Sequence, residues 1–247
     1  MLPFQKMIKP QIVIEDYKGR HNSDLDRTAS RLDQAKTYRD LSTICIIPTR
    51  GVIPAKVVQS WWGMMTPMNQ KFLRTFAIGM EVGAAYSATI EQILATPELG
   101  KWKYILTLEE DNMPPTDGLL KLYESMDKFD VVGGLYWTKG EMGQPMIYGD
   151  PKAKKLNFIP QIPQPETVQQ CNGLGMGFNL FKMDIFKDPR VPRPYFKTTQ
   201  EFTPGVGIKV YTQDLYFYEG IHNLGYKVAC DTRIKVGHYD MDNDIIW

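Results

Sequence analysis

The chain has 247 residues, of which 43% are hydrophobic and 12% aromatic; this is enough apolar material for one sizeable α/β core and excludes a disordered chain. Its 29 Lys and Arg residues nearly balance its 28 Asp and Glu residues, and the formal net charge is +1. This balance argues against a dedicated nucleic-acid or membrane-surface binder, although a nucleic acid bound briefly as a substrate stays open.

Cysteine usage and hydropathy indicate the compartment. Cys45, Cys171 and Cys230 are widely spaced and odd in number, a pattern typical of reduced core thiols and not of a disulfide framework. The first residues lack the apolar core of a signal peptide, and no apolar run approaches the ~20 residues that cross a bilayer. We therefore expect a cytoplasmic protein with no transmembrane segment.

The first third of the chain predicts an extension and the start of a domain. Residues 1–42 read as an N-terminal extension, with a short strand at 11–14 and a surface helix over 22–40. The β-branched run at 42–47 predicts a buried strand that Pro48 ends. Apolar side chains at helical spacing then predict a helix from 69 to about 95; they are Phe72, Phe76, Met80, Ala84 and Ala88.

The remainder alternates between strands and helices. Residues 102–108 predict a second buried strand, 114–126 a helix and 130–136 a third strand. This alternation is typical of an open, mostly parallel Rossmann-like sheet flanked by helices. We predict one α/β domain over 43–247. Its later part contains a helix over 214–224 and strands at 226–230 and 234–236.

Candidate binding residues follow the predicted strands, where open α/β sheets bind their ligands. After the first strand, Thr49 supplies a hydroxyl and Arg50 a fixed charge for a phosphate or a base edge. After the second strand come Glu109, Glu110 and Asp111, whose carboxylates repel one another unless a cation compensates them. Oxygen ligands of this kind suit Mg²⁺ or Mn²⁺.

Three further features each have a functional and an ordinary structural interpretation. Asp214 opens a predicted helix and is either a general base or a carboxylate stabilised by the helix dipole. His238 follows an apolar strand and is either a metal ligand or a surface histidine. The glycine-rich run that starts at Asn172 and Gly173 allows close backbone approach to a substrate, but it matches neither a dinucleotide fingerprint nor a P-loop.

The order of these features resembles the GT-A superfamily of nucleotide-sugar glycosyltransferases, most of all the family-2-type members of bacteria and phages. The resemblance covers roughly residues 43–240. It is carried by five segments: Ile46-Ile47-Pro48-Thr49-Arg50, Leu106-Thr107-Leu108-Glu109-Glu110-Asp111, Val132-Gly133-Gly134-Leu135-Tyr136, the glycines of 173–177, and Gln213-Asp214-Leu215 running on to Val236-Gly237-His238.

The resemblance implies a metal-dependent transfer of a sugar from a nucleoside-diphosphate sugar to an acceptor hydroxyl, with inversion. It implies base and ribose contacts at Pro48, Thr49 and Arg50. It places Mn²⁺ or Mg²⁺ at Glu109, Asp111 and His238, and the acceptor base at Asp214. Other donor-binding positions that it implies are Glu110, Tyr136, Trp137, Lys139, Asn172 and Gly173.

Two departures from the family pattern leave other functions open. Glu109 stands where the family has the first Asp of its metal motif, and Gln213 stands where it has Glu before Asp214. The alternatives are a nucleotidyltransferase that builds sugar nucleotides and a catalytically inactive sugar-nucleotide-binding protein. The acceptor also stays open, since a modified DNA base, a glycan, a lipid or a protein can each offer a hydroxyl.

Overall fold

The structure is a computed structural model that describes residues 39–68, 70–205 and 207–247. The predicted strand at 11–14 and nearly all of the predicted surface helix lie outside the described residues. The helices are α1 (Ala55–Gly63), α2 (Val82–Ala95), α3 (Gly118–Glu124), α4 (Met183–Lys187) and α5 (Gln213–His222). The strands are β1 (Thr43–Thr49), β2 (Phe72–Ile78), β3 (Tyr104–Leu108), β4 (Asn112–Met113), β5 (Val131–Leu135), β6 (Ile147–Tyr148), β7 (Val168–Cys171), β8 (Gly173–Leu174), β9 (Phe178–Lys182), β10 (Thr199–Thr203), β11 (Gly207–Tyr211), β12 (Val228–Lys235), β13 (Gly237–Asp240) and β14 (Ile245–Ile246).

A seven-stranded sheet forms the centre of a single mixed α/β domain, in the order β2-β1-β3-β9-β5-β12-β7. Strand β1 pairs in parallel with β2 and β3, and β12 pairs in parallel with β5. Strand β9 is antiparallel to both β3 and β5, and β7 is antiparallel to β12. Five of the strands therefore run in one direction, which confirms the predicted open, largely parallel, Rossmann-like sheet flanked by helices.

The central strands read as continuous apolar runs because both faces of the sheet are covered. Along β1, Ile44 and Ile46 belong to one core, and Cys45 and Ile47 belong to the other. Helices α2, α4 and α5 contribute to the first core, and α1 and α3 contribute to the second. All three cysteines are buried and unpaired.

The predicted helix over 69–95 is wrong in its first half. Residues 72–78 form β2 at the edge of the sheet, and the helix α2 begins only at Val82. Phe72 and Phe76 are four residues apart, a spacing that places side chains on one face of a strand as well as of a helix. Gly79, with φ +71°, separates the two elements.

Two smaller differences concern element boundaries, and a third is a helix that the sequence pattern did not predict. Strand β1 continues through Pro48 to Thr49, and the predicted strands at 226–230 and 234–236 form the single strand β12. The unpredicted helix is α1, which buries Val57 and Trp61 against the second core.

A second, three-stranded sheet lies beyond the carboxyl ends of β3 and β12. Strand β13 pairs antiparallel with β4, where His238 is opposite Asn112, and with β14 on its other side. This pairing brings His238 next to Asp111, the residue before β4. In the part of the chain that the structure describes, no helix is long and apolar enough to cross a membrane.

Candidate functional site

The ends of β1 and β3 are joined by Glu110. Its carboxylate accepts a hydrogen bond from the Thr49 hydroxyl at 2.7 Å and from the Arg50 backbone N–H at 2.9 Å. The Arg50 side chain adds a third, from Nε to Oε1 at 2.6 Å. These donors stabilise the ionised form and hold the pKa of Glu110 below its usual value despite partial burial. Glu110 therefore fixes the geometry of the strand ends.

Asp111 is at the centre of a cluster of charged side chains. Its Oδ2 lies 2.6 Å from Lys139 Nζ and 3.4 Å from His238 Nε2. Burial raises the pKa of the Asp111 carboxyl, but hydrogen bonds from His238 and Lys139 outweigh it, and the net pKa is below the usual value. Three predicted residues from separate parts of the chain thus meet at one carboxylate oxygen.

His238 is held from the side opposite Asp111. Its Nδ1 lies 2.7 Å from the main-chain oxygen of Trp137, and the imidazole packs edge to face against the Tyr136 ring with a centroid distance of 5.4 Å. Trp137 thus contributes its backbone carbonyl to the site, and Tyr136 contributes a ring that is perpendicular to the imidazole.

Glu109 and Asp214 lie close enough for their charges to interact. Burial raises the pKa of Glu109 to about 8, with further contributions from the negative charges of Asp111 and Asp214. Burial also raises the pKa of Asp214, although hydrogen bonds from Thr212 and the backbone N–H of Leu215 oppose the shift. At neutral pH, Glu109 is therefore mostly protonated, whereas Asp111 is ionised.

An open cleft of about 350 Å³ lies in front of this cluster. Four predicted residues line it: Arg50, Glu110, Asp111 and Lys139. Its opposite wall is the segment 239–243, which the sequence motifs did not assign to the site. The acidic and amide side chains of that segment resemble an ordinary polar terminus in sequence, and only the pairing of β13 with β4 brings them to the cleft.

Beneath the cleft, glycines allow close packing that other residues would prevent. Tyr136 is 1% exposed, and its hydroxyl accepts a hydrogen bond from the Gly177 N–H at 2.9 Å. A Cβ atom on Gly175 would lie 2.2 Å from that hydroxyl, and one on Gly177 would lie 2.5 Å from Asn112 Oδ1. Tyr136 is therefore placed to support His238 and Gly177, and not to contact a ligand in the cleft.

Asn172, Gly173 and Pro48 are not brought to the cleft. Asn172 is the buried residue between β7 and β8, and its Nδ2 donates to the Asn157 carbonyl at 3.0 Å. Gly173 packs against Phe158 and Tyr218, and Pro48 is buried within β1. These packing contacts account for the positions of the three residues in the fold. Their role in donor binding remains a prediction.

The fit of the site to a divalent cation rests on Asp111 and His238. In residues 39–68, 70–205 and 207–247, no group of three or more His, Cys, Asp or Glu side chains is arranged to hold a metal ion. The pair nevertheless offers one carboxylate oxygen and one imidazole nitrogen 3.4 Å apart, near the ~3 Å spacing of adjacent ligands around Mg²⁺. Two protein donors suit a cation that also binds diphosphate oxygens and water.

Comparison with known proteins supports the fold alone. No protein-family model and no curated protein matches the chain. Among solved structures, the chain is similar to A197 from STIV, with a TM-score of 0.58 and 17% identity over 83% of this chain and 92% of that one. A protein provisionally described as a UDP-N-acetylglucosamine pyrophosphorylase from Entamoeba histolytica aligns with a TM-score of 0.41 and 10% identity, over 84% of this chain and 76% of that one; this second similarity is too low to carry an argument.

Proposed function

We propose that the chain is a metal-dependent glycosyltransferase of the GT-A type, which moves a sugar from a nucleoside-diphosphate sugar to an acceptor hydroxyl. The observation that carries the proposal is the meeting of Asp111, His238 and Lys139 at the carboxyl ends of the sheet, with the buried carboxyl of Asp214 close to Glu109. Asp111 and Lys139 line the open cleft, His238 lies against Asp111, and the candidate base Asp214 is buried close to Glu109.

Donor binding is assigned to the cleft. Lys139 and Arg50 supply positive charge for a diphosphate. The Thr49 hydroxyl accepts a hydrogen bond from the Gly51 N–H at 2.9 Å and so holds the turn that follows β1. Asp111 and His238 would hold Mn²⁺ or Mg²⁺. The cation, when bound, offsets the negative charge that develops on the leaving diphosphate.

Asp214 is the residue assigned to proton transfer. The acceptor oxygen forms a bond to the anomeric carbon as the bond to the diphosphate breaks, and the Asp214 carboxylate takes the acceptor proton. Its raised pKa brings its basicity closer to neutral pH, which favours a general base. This assignment predicts inversion at the anomeric carbon, and the acceptor can be a modified DNA base, a glycan, a lipid or a protein.

The test is a turnover assay with a panel of nucleotide sugars, run with and without Mn²⁺ and with several classes of acceptor. We expect nucleoside diphosphate to be released from one donor only when metal is present, and not to be released by an Asp111→Asn variant. Release of pyrophosphate from a nucleoside triphosphate and a sugar phosphate would instead identify a nucleotidyltransferase. Donor binding with no turnover on any acceptor would support the inactive binding protein.

A further inference from the structure

One oxygen of Asp111 serves two partners. Lys139 Nζ is 2.6 Å from Oδ2, and His238 Nε2 approaches the same atom at 3.4 Å. An ammonium at this distance forms a direct ion pair and occupies space that a cation bound by Asp111 and His238 needs. Lys139 and a divalent cation therefore compete for Asp111.

Lys139 is placed where it can leave. It lies in the loop after β5, where the Gly143 N–H donates to the Gly140 carbonyl at 2.9 Å and the Thr138 N–H donates to the Gln144 carbonyl at the same distance. These bonds hold the loop without involving the lysine side chain, which is one-third exposed in the cleft. The ammonium can move without breaking the loop.

We propose that Lys139 is an exchangeable counter-cation that couples the binding of a divalent cation at Asp111 to the binding of a diphosphate in the same cleft. Without ligands, the ammonium neutralises Asp111. When the cation binds, Lys139 leaves Asp111 and pairs with the oxygens of the diphosphate. The diphosphate part of this inference rests on the proposed function, whereas the competition at Asp111 does not.

The other charges of the cleft explain why the two ligands assist each other. Asp240 is a second carboxylate of the cleft that interacts with the charge of Lys139, and it already accepts hydrogen bonds from the Asp242 N–H and from Asn243 Nδ2, at 3.0 and 2.8 Å. When a cation binds alone, it thus displaces the Lys139 ammonium toward Asp240, whose carboxylate already accepts these hydrogen bonds. A diphosphate gives that ammonium a new anionic partner, so each ligand raises the affinity for the other.

The experiment measures Mn²⁺ binding by electron paramagnetic resonance, with no donor and no turnover. Wild type is compared with Lys139→Gln, first with Mn²⁺ alone and then with pyrophosphate added. The matched control is Lys182→Gln, because Lys182 pairs with Asp130 at 2.9 Å and has the same 33% side-chain exposure as Lys139. Thermal unfolding of each variant establishes that it is folded.

We expect Lys139→Gln to bind Mn²⁺ alone at least about tenfold more tightly than wild type, since removal of the competing ammonium favours the cation. Pyrophosphate is expected to strengthen Mn²⁺ binding more in wild type than in Lys139→Gln, because the coupling passes through the lysine. Lys182→Gln is expected to match wild type in both measurements.

Two results would overturn the inference: equal Mn²⁺ affinity in Lys139→Gln and wild type, or no Mn²⁺ binding by either folded protein. Failure of the proposed function has a different signature, because a protein that shows the Mn²⁺ competition but releases no nucleoside diphosphate from any donor retains the lysine exchange and loses only the transferase assignment.

Discussion

The main-chain carbonyl of Trp137 fixes the imidazole of His238, with 2.7 Å between the oxygen and Nδ1. Because a carbonyl can only accept a hydrogen bond, Nδ1 carries a proton, and Nε2 is the ring nitrogen that faces Asp111. A ring oriented in this way is a prepared nitrogen ligand, since metal-binding histidines commonly donate their other N–H to such an acceptor.

His238→Ala is expected to weaken Mn²⁺ binding by roughly 10–100-fold, because the alanine removes one of two protein donors. The measurement is Mn²⁺ titration followed by electron paramagnetic resonance. His222→Ala is the control, since His222 lies in the last turn of α5 and lines no part of the cleft. Unchanged Mn²⁺ affinity in His238→Ala would remove His238 from the cation site.

Asp214→Asn is expected to lower turnover by roughly 10²–10⁴-fold, because an amide cannot accept the acceptor proton. Donor affinity, measured by calorimetry, is expected to stay within about threefold of wild type, since a base acts in the transition state and not in donor binding. Asp184→Asn is a matched control: Asp184 also lies in the first turn of a helix, but its side chain is 86% exposed. A fully active Asp214→Asn enzyme would show that Asp214 is not the base.

The pKa of Glu109 makes the free energy of unfolding depend on pH. In the folded protein the Glu109 carboxyl keeps its proton up to about pH 8, whereas an ordinary glutamic acid loses its proton near pH 4.5. Between these values the unfolded chain binds fewer protons than the folded one, so this group lowers stability as pH rises.

Glu109→Gln removes the loss of stability at high pH, because the glutamine amide stays neutral. We expect the variant to be about 1–3 kcal/mol more stable than wild type at pH 9, and to differ little at pH 4. Denaturant unfolding at several pH values measures the effect, and the exposed Glu219→Gln serves as the control. The same pH dependence in Glu109→Gln and wild type would contradict the elevated pKa.

Gly177→Ala is expected to destabilise the fold by about 1–3 kcal/mol, because the new Cβ would lie 2.5 Å from the buried Asn112 amide. Since Asn112 follows Asp111, the displacement also predicts weaker Mn²⁺ binding. Gly100→Ala is the control, because its Cβ meets its nearest neighbour at 3.4 Å. Wild-type stability in Gly177→Ala would show that the turn at Asn112 adapts without cost.

Much of the fold could be predicted because the central strands carry a strong signal. Residues 104–108 and 131–135 are buried on both faces, and their apolar runs predicted strands correctly. The edge strand β2 was missed because, within the described part of the chain, it has a sheet neighbour on one side only, and Leu73, Phe76 and Ile78 are exposed. Its pattern is therefore not that of a buried strand. Tertiary pairing with β1, and not local preference, determines its structure.

The site could be predicted only as separate parts. The carboxylates after β3 and the arginine after β1 were recognisable, because parallel strands bring their carboxyl ends to one edge of the sheet. The joining of Thr49 and Arg50 by Glu110 could not be predicted, since Glu110 is 61 and 60 positions from them in the chain. The wall at 239–243 depends on the two-residue strand β4, which is too short to produce a periodic pattern.

The pairing of β4 with β13 has a consequence for how the site is lost. His238 is opposite Asn112 in this ladder, and the Tyr239 N–H donates to the Asp111 carbonyl at 2.7 Å. The distance between the His238 imidazole and the Asp111 carboxylate is thus set by the backbone pairing of β13 with β4. When this small ladder opens, the two side chains separate from each other. Amide hydrogens on the two strands should exchange with solvent as one cooperative unit, and a ligand that bridges Asp111 and His238 should slow the whole unit together.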